Sequence, residues 1–349
     1  MKNYLTSLTF GLTLLFISGC GHTPVRSVFP ASLPPHTAET AAASARAEKF
    51  RSITAKLPLR GVALYPAAFA GSFTDKEVLD AVSRLGFNRI YCCLTSEQEL
   101  NERLTAFLTE AASRNIPVEL VLSQQDFYRQ YRANRLIRGL FIQYPDLCEA
   151  VQRSIGYNAE LPENIRFSGW TIILTPHLFN GNNTERTRGH IYRWDEKRYG
   201  IGEDNDMLVR ESLEYATKIA ALPGLGKLTI AVPDYFHEAA VSGQLSCGKI
   251  TDFTAIADKV AVINSANLPS KLPGMIAGEL AEAGEKGKIL AVVPIAGHIS
   301  ETEGKLRRRN WDDFQRSMDN LIRKSAAYDS FGGVIVSPLS VVEYLRQEK

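Results

Sequence analysis

Phe167–Phe179, with the sequence FSGWTIILTPHLF, contains the clearest strand signal of the chain. Trp170–Leu174 is a continuous apolar run, and such a run predicts a buried β-strand. Thr175, Pro176 and His177 follow it and form a polar tip. We interpret this stretch as the fourth strand of a parallel α/β domain.

Seven other apolar runs predict strands, and helical segments follow the runs along the chain. The predicted strands are Gly61–Tyr65, Asn88–Leu94, Val118–Leu122, Trp170–Leu174, Lys227–Val232, Val260–Asn264, Ile289–Val293 and Gly333–Val336. The predicted helices are Lys76–Leu85, Gln98–Arg114, Pro145–Gly156, Asn205–Leu222, Asp252–Asp258, Met275–Glu285, Asp312–Ala327 and Leu339–Arg346. This alternation predicts an α/β fold of the (β/α)8 TIM-barrel type. An open doubly wound sheet is the alternative, but the first strand is not followed by a Gly-rich phosphate loop.

The N-terminus has the features of a bacterial lipoprotein signal. Lys2 supplies a positive charge, Leu5–Ile17 is an apolar stretch too short to span a bilayer comfortably, and Ile17–Cys20 has the small residues of a cleavage site. We predict cleavage before Cys20 and lipidation of Cys20. Because Gly21 and not Asp follows, we expect an outer-membrane anchor in the cell envelope. An ordinary secretory signal ending near a cysteine is the alternative.

The domain organisation follows from the composition of the next segment. Residues 20–46 are rich in Pro, Ala, Thr and Ser, a composition that cannot bury a core and predicts a flexible tether. The predicted organisation is therefore a signal peptide at 1–19, a tether at 20–46 and a TIM-barrel domain at 47–349.

Charge and cysteine usage exclude several classes of partner. The chain has 349 residues and a formal net charge of +2, which gives no reason to expect a nucleic-acid partner. The cysteines beyond Cys20 do not have the spacing of a zinc site, and we expect neither a metal nor another cofactor.

Several short motifs, taken in order, resemble a group of bacterial (β/α)8 proteins that is similar to glycoside hydrolases. They are Tyr157-Asn158 with Arg166–Gly169, Val232–Phe236, Asp258–Ile263 and Gly332–Val336. The resemblance extends from about Arg60 to Leu345. It implies a glycosidase-like barrel, in which the chemistry takes place at the C-terminal ends of the strands.

The resemblance also implies acids that this chain lacks. An Asp-x-Glu-Pro pair is implied at the tip of the fourth strand, where Ile173 and Thr175 precede Pro176. A further acid is implied on the seventh strand, where Ala296–His298 stand. Glycoside hydrolysis needs two carboxyl groups flanking the bond. We therefore expect the ancestral acid pair to be lost.

Other polar residues near the predicted strand ends form the candidate site. Asp234 and Glu238 are a candidate replacement catalytic pair, although Asp also favours turn caps and Glu238 can simply be solvated. The candidate glycan-binding residues are Tyr65, Asp126, His177, Trp194, Asn264 and His298. A metal site made from three histidines and Asp234 is an alternative without a spacing signature.

Three hypotheses about function remain. In the first, a lipid-anchored envelope barrel binds a glycan or polysaccharide and is catalytically degenerate. In the second, it is an active glycoside hydrolase that uses Asp234 and Glu238. In the third, it is a structural protein of the envelope that holds a partner protein.

Overall fold

The computed structural model describes residues 41–66, 74–94, 99–123, 145–174, 203–263, 272–294 and 311–337. Eight parallel strands form a closed barrel in chain order, and the eighth strand pairs with the first. The predicted TIM-barrel class is therefore confirmed. Within the described residues, no helix combines the length and the apolar character that crossing a bilayer requires.

The strands and helices lie close to their predicted positions. The strands are β1 Leu59–Leu64, β2 Arg89–Leu94, β3 Val118–Ser123, β4 Gly169–Ile173, β5 Leu228–Pro233, β6 Lys259–Ile263, β7 Ile289–Pro294 and β8 Phe331–Ser337. The helices are α1 Ala41–Thr54, α2 Asp75–Arg84, α3 Glu102–Ala112, α4 Pro145–Glu160, α5 Glu203–Ala220, α6 Tyr235–Val241, α7 Ile250–Thr254, α8 Leu272–Met275, α9 Ala277–Glu282 and α10 Trp311–Ser325. The predicted helix Met275–Glu285 is interrupted and becomes α8 and α9. The predicted closing helix, Leu339–Arg346, lies outside the described residues.

Alternate residues of each strand belong to two separate apolar cores. The larger core lies between the strands and the helices and includes Phe50, Phe107, Trp170 and Phe236. The smaller core fills the barrel interior with one or two side chains from each strand. Its buried members are Leu59, Ala63, Tyr91, Cys93, Val121, Ile173, Ala231, Ala261, Leu290 and Ile335. Both faces of the sheet are therefore buried, as expected for a parallel barrel.

Helix α1 precedes the barrel and packs on it. The Phe50 ring is stacked with Phe314 of α10 at a centroid distance of 6.1 Å and is tilted against Phe87 at 5.5 Å. The carbonyl of Arg46 accepts a hydrogen bond from the Gln315 amide. Residues 41–46, predicted as the end of the tether, are thus helical, because the following turns bury Ala47 and Phe50 against the barrel.

A charged network lies inside the barrel near the N-terminal ends of the strands. Glu119 of β3 accepts hydrogen bonds from Arg89 at 2.8 Å, from Thr171 at 3.0 Å and from Thr229 at 3.2 Å. The Lys259 ammonium donates to the Gly287 carbonyl at 2.7 Å, and burial lowers its pKa. This end of the barrel is held by polar bonds, whereas the interior above it is apolar.

Several motifs that carry the resemblance lie at the same end of the barrel and have structural roles. The Asn158 amide oxygen accepts the Phe167 N–H at 2.7 Å, and an Asp258 carboxylate oxygen accepts the Leu228 N–H at 2.8 Å. Gly333 has a φ of +138°, and a Cβ there would clash with the carbonyl of Leu59 on the neighbouring strand. These residues position β4, β5 and β8, so their likeness to the glycosidase-like group concerns the fold and not the chemistry.

Candidate functional site

The mouth of the barrel, at the C-terminal ends of the strands, has an apolar and aromatic floor. Tyr65 directly after β1, Ile263 at the end of β6 and Val292 of β7 are partly buried and pack on the interior core. Ile173 at the end of β4 is a buried member of the same core. Of the predicted binding residues, the structure therefore places Tyr65 at the floor of the mouth.

The end of β4 contributes no ionisable group within the part of the chain that the structure describes. Ile173 faces the interior, and the next residue, Leu174, packs in the outer core. The Leu174 N–H donates to the Ala231 carbonyl of β5 at 2.8 Å, so the ladder continues to this point. Ile173 occupies one of the two places where the resemblance implies an acid. Thr175 lies outside the described residues.

Asp234 follows β5 on the helix side of the sheet. Ala231 belongs to the interior core, whereas Ile230 and Val232 belong to the outer core, and Asp234 continues the outer series. Asp234 is only 3 % exposed. It stands at the N-cap position of α6, but its side chain makes no capping hydrogen bond, and its N–H donates to the Ile263 carbonyl at 3.1 Å.

The predicted catalytic pair does not span the mouth. Glu238 lies one turn after Asp234 on α6 and is exposed. Residues four apart are neighbours on one face of a helix. A glycosidic bond has to lie between the two carboxyl groups that act on it. Asp234 and Glu238 share one short element and do not have this arrangement.

A third carboxyl group, Glu279 of α9, lies close to the predicted pair. Glu279 is buried, with only 2 % of its surface exposed. The pKa of Glu279 is raised to about 8, chiefly by burial; a hydrogen bond from its own backbone lowers the pKa, and the charges of Asp234 and Glu238 contribute to the increase. Glu279 is therefore predominantly protonated at neutral pH.

Glu279 is not among the predicted site residues, although the sequence contains a signal for it. Ile276, Leu280 and Ala283 are buried core residues around it. Glu279 comes three residues after Ile276 and four before Ala283, the spacing of one helix face. A carboxyl group on an apolar helix face is rarely buried without a specific environment.

His237 joins α6 to the neighbouring helices. Its Nδ1 accepts the Ile250 N–H at 3.3 Å, and its Nε2 lies 3.7 Å from a carboxylate oxygen of Glu282. Burial is the main cause that lowers the pKa of His237, and this shift favours the neutral form of the ring. The described residues contain no cluster of His, Cys, Asp and Glu side chains that can hold a metal ion.

The other predicted site residues, Cys20, Asp126, His177, Trp194, Asn264 and His298, lie outside the described residues. The structure places Tyr65 at the mouth and Asp234 with Glu238 on α6. The described part of the predicted set therefore lies on two elements, the end of β1 and the helix α6 with its first turn.

The sequence matches no protein-family model and no curated protein. Among solved structures, the chain is similar to a GH53 catalytic domain from Ignisphaera aggregans, with 14 % identity, a TM-score of 0.46 and coverage of 80 % of this chain and 84 % of that one. It is also similar to TsXylA, an intracellular xylanase from Thermoanaerobacterium saccharolyticum, with 12 % identity, a TM-score of 0.46 and coverage of 83 % and 88 %. A chitinase from Chromobacterium violaceum has 13 % identity and a TM-score of 0.42 over 82 % of this chain and 99 % of that one. Function does not transfer at such similarity, and the fold is established by the closed strand ladder itself.

Proposed function

We propose that this barrel binds a glycan at its mouth and does not hydrolyse it. The observation that carries the proposal is the chemistry of the inward-facing floor. In the part of the chain that the structure describes, the floor of the mouth contains Tyr65, Ile173, Ile263 and Val292, and none of these side chains is a carboxylic acid. The two predicted acids, Asp234 and Glu238, belong to α6 and do not face each other across the mouth.

Such a floor suits a sugar ring. The C–H faces of pyranose rings are apolar and pack on aromatic and aliphatic side chains, whereas their hydroxyl groups need polar partners at the rim. Binding of this kind does not require a general acid or a nucleophile. The lipoprotein-like N-terminus supports a location on the envelope, with Cys20 as the lipidated residue and an envelope polysaccharide as the ligand.

A glycan array followed by calorimetry on the purified chain tests the proposal. We expect binding without turnover, and Tyr65→Ala should weaken binding roughly tenfold, because a stacked ring contributes ~0.5–1.5 kcal/mol beyond its buried area. Tyr328→Ala is the matched control, since Tyr328 is a partly buried tyrosine at the opposite end of the barrel. Absence of binding across a broad array would overturn the proposal.

Glycoside hydrolysis is the second candidate, and the protonated state of Glu279 is the observation that favours it. A neutral carboxyl group next to carboxylates is the arrangement by which an acid and a base acquire different pKa values. In this case Glu279 is the proton donor, and Glu238, the exposed carboxylate of the predicted pair, is the base or nucleophile. Measured turnover that Glu279→Gln abolishes while glycan binding remains would support this candidate. Turnover that the substitution leaves unchanged would exclude Glu279 as the proton donor, and any measured turnover would overturn the proposal of binding without hydrolysis.

A further inference from the structure

Helices α6 and α9 pack closely through a small contact. A Cβ added at Gly278 of α9 would lie 3.1 Å from the ring of His237, a tight contact that the ring could relieve only by shifting a few tenths of an ångström. Glu282, one turn further along α9, faces the same ring. Gly278, Glu279 and Glu282 therefore mark the side of α9 that meets α6.

The contact contains a buried carboxyl group, Glu279, which forms no ion pair with any basic residue in the part of the chain that the structure describes. Titratable residues lie on two of the described helices packed against α9 and on α9 itself. They are Asp234, His237 and Glu238 at α6, Lys249 and Asp252 at the start of α7, and Glu282 on α9 itself, whereas α8 has none. The charges that act on Glu279 are those of Asp234 and Glu238, and both are negative. A carboxylate at this position is both desolvated and repelled.

We propose that the α6–α9 contact is a proton-dependent latch, which holds while Glu279 is protonated and opens when this carboxyl group releases its proton to solvent. The latch is independent of the glycan-binding proposal, because it needs no ligand at the mouth. It acts next to the mouth, since α6 begins directly after β5.

The direction of the pH effect follows from the proton balance. The pKa of Glu279 is about 8 in the packed contact and returns towards its ordinary value of 4.5 when the contact opens. The packed form therefore binds the proton more tightly, and raising the pH favours opening. The opening equilibrium constant rises tenfold per pH unit below the pKa of the packed form and becomes constant above it. Burial lowers the pKa of His237 from its ordinary 6.5, so this ring titrates at a lower pH than Glu279 does in the packed contact.

Hydrogen exchange of the purified chain between pH 6 and pH 9 tests the latch. Exchange is followed by mass spectrometry in peptides that cover α6 and α9, and the rates are corrected for intrinsic exchange at each pH. In the wild type, the opening constant should increase about 100-fold over this range and level off near pH 8. In Glu279→Gln the pH dependence should disappear.

Two further variants separate the latch from general loosening. Glu282→Gln is the matched control, since it removes a carboxylate from the same side of α9 and should preserve the pH dependence. Glu238→Gln changes an exposed residue and should shift the midpoint to lower pH, because one repelling charge is removed. An opening constant that does not change with pH in the wild type would overturn the proposal. So would a pH dependence that persists in Glu279→Gln, or a midpoint that does not move in Glu238→Gln.

Discussion

Replacing Glu119 by leucine should destabilise the barrel strongly, although leucine suits the apolar strand in which Glu119 lies. Glu119 accepts hydrogen bonds from Arg89, Thr171 and Thr229 and thus joins β2, β3, β4 and β5 inside the barrel. Leucine removes all three acceptor contacts at once. Arg89 also donates to the Ser168 hydroxyl at 3.1 Å, and this bond can remain.

The magnitude follows from the groups that the substitution leaves behind. Removing one partner of a buried ion pair costs ~3–5 kcal/mol, chiefly because the other charge stays buried. The Arg89 side chain is 23 % exposed, so water partly solvates its charge. The cost of breaking the ion pair should therefore lie near the lower end of that range, at ~3 kcal/mol. Two buried threonine hydroxyls lose an acceptor, at ~1 kcal/mol each. We therefore expect a total loss of about 5 kcal/mol in the free energy of unfolding.

Denaturant unfolding measures this loss as a lower transition midpoint at an unchanged slope. Thr171→Val is the graded control, because it removes one hydroxyl and should cost about 1 kcal/mol. In the double variant Arg89→Met with Glu119→Leu, both charges are gone, and much of the stability should return. A Glu119→Leu protein within ~0.5 kcal/mol of the wild type would refute the view that this network stabilises the barrel.

Three further predictions concern other parts of the chain. Gly333→Ala should lower the free energy of unfolding by at least ~1 kcal/mol, because Gly333 has a positive φ and a Cβ would clash with the Leu59 carbonyl. Gly156→Ala, inside α4 with open space around it, should instead raise the free energy of unfolding by ~0.5–1 kcal/mol, and equal effects in denaturant unfolding would contradict the steric reasoning. Phe50→Ala should lower the free energy of unfolding by ~3–5 kcal/mol, because the ring packs on Phe87 and Phe314. A chain that begins at residue 41 should keep its melting temperature, and one that begins at residue 55 should melt several degrees lower; an unchanged melting temperature after loss of α1 would contradict its packing role. Cys20→Ser should move the protein from the membrane fraction to the soluble envelope fraction and remove the lipid mass, and a membrane-bound, unlipidated wild type would contradict the anchor.

The strands and most helices were predictable because their signals are local. Apolar runs such as Trp170–Leu174 and the amphipathic pattern of Gln98–Arg114 identify each element without knowledge of its neighbours. The order of eight such units was enough to predict the barrel. Helix α1 was missed, although alanine favours helices, because so short a helix is marginal by itself and is stabilised here by Phe50 packing on α10.

The candidate site was less predictable, since it depends on which side of the sheet each residue occupies. A strand buried on both faces loses the polar–apolar alternation that marks its orientation. The sequence therefore identified Asp234 as lying near a strand end but did not show that it belongs to the helix side.

The sequence by itself determined the fold class and the order of the eight strands, because the signal of each strand depends on neighbouring residues along the chain. The lipoprotein-like N-terminus stays a prediction. Only the tertiary structure decided that Glu119 lies inside the barrel among Arg89 and two threonines, and that Glu279 lies near Asp234. Both arrangements join residues from different strand–helix units. Closure of the barrel creates them, and burial of these carboxyl groups then sets their partners and the raised pKa of Glu279.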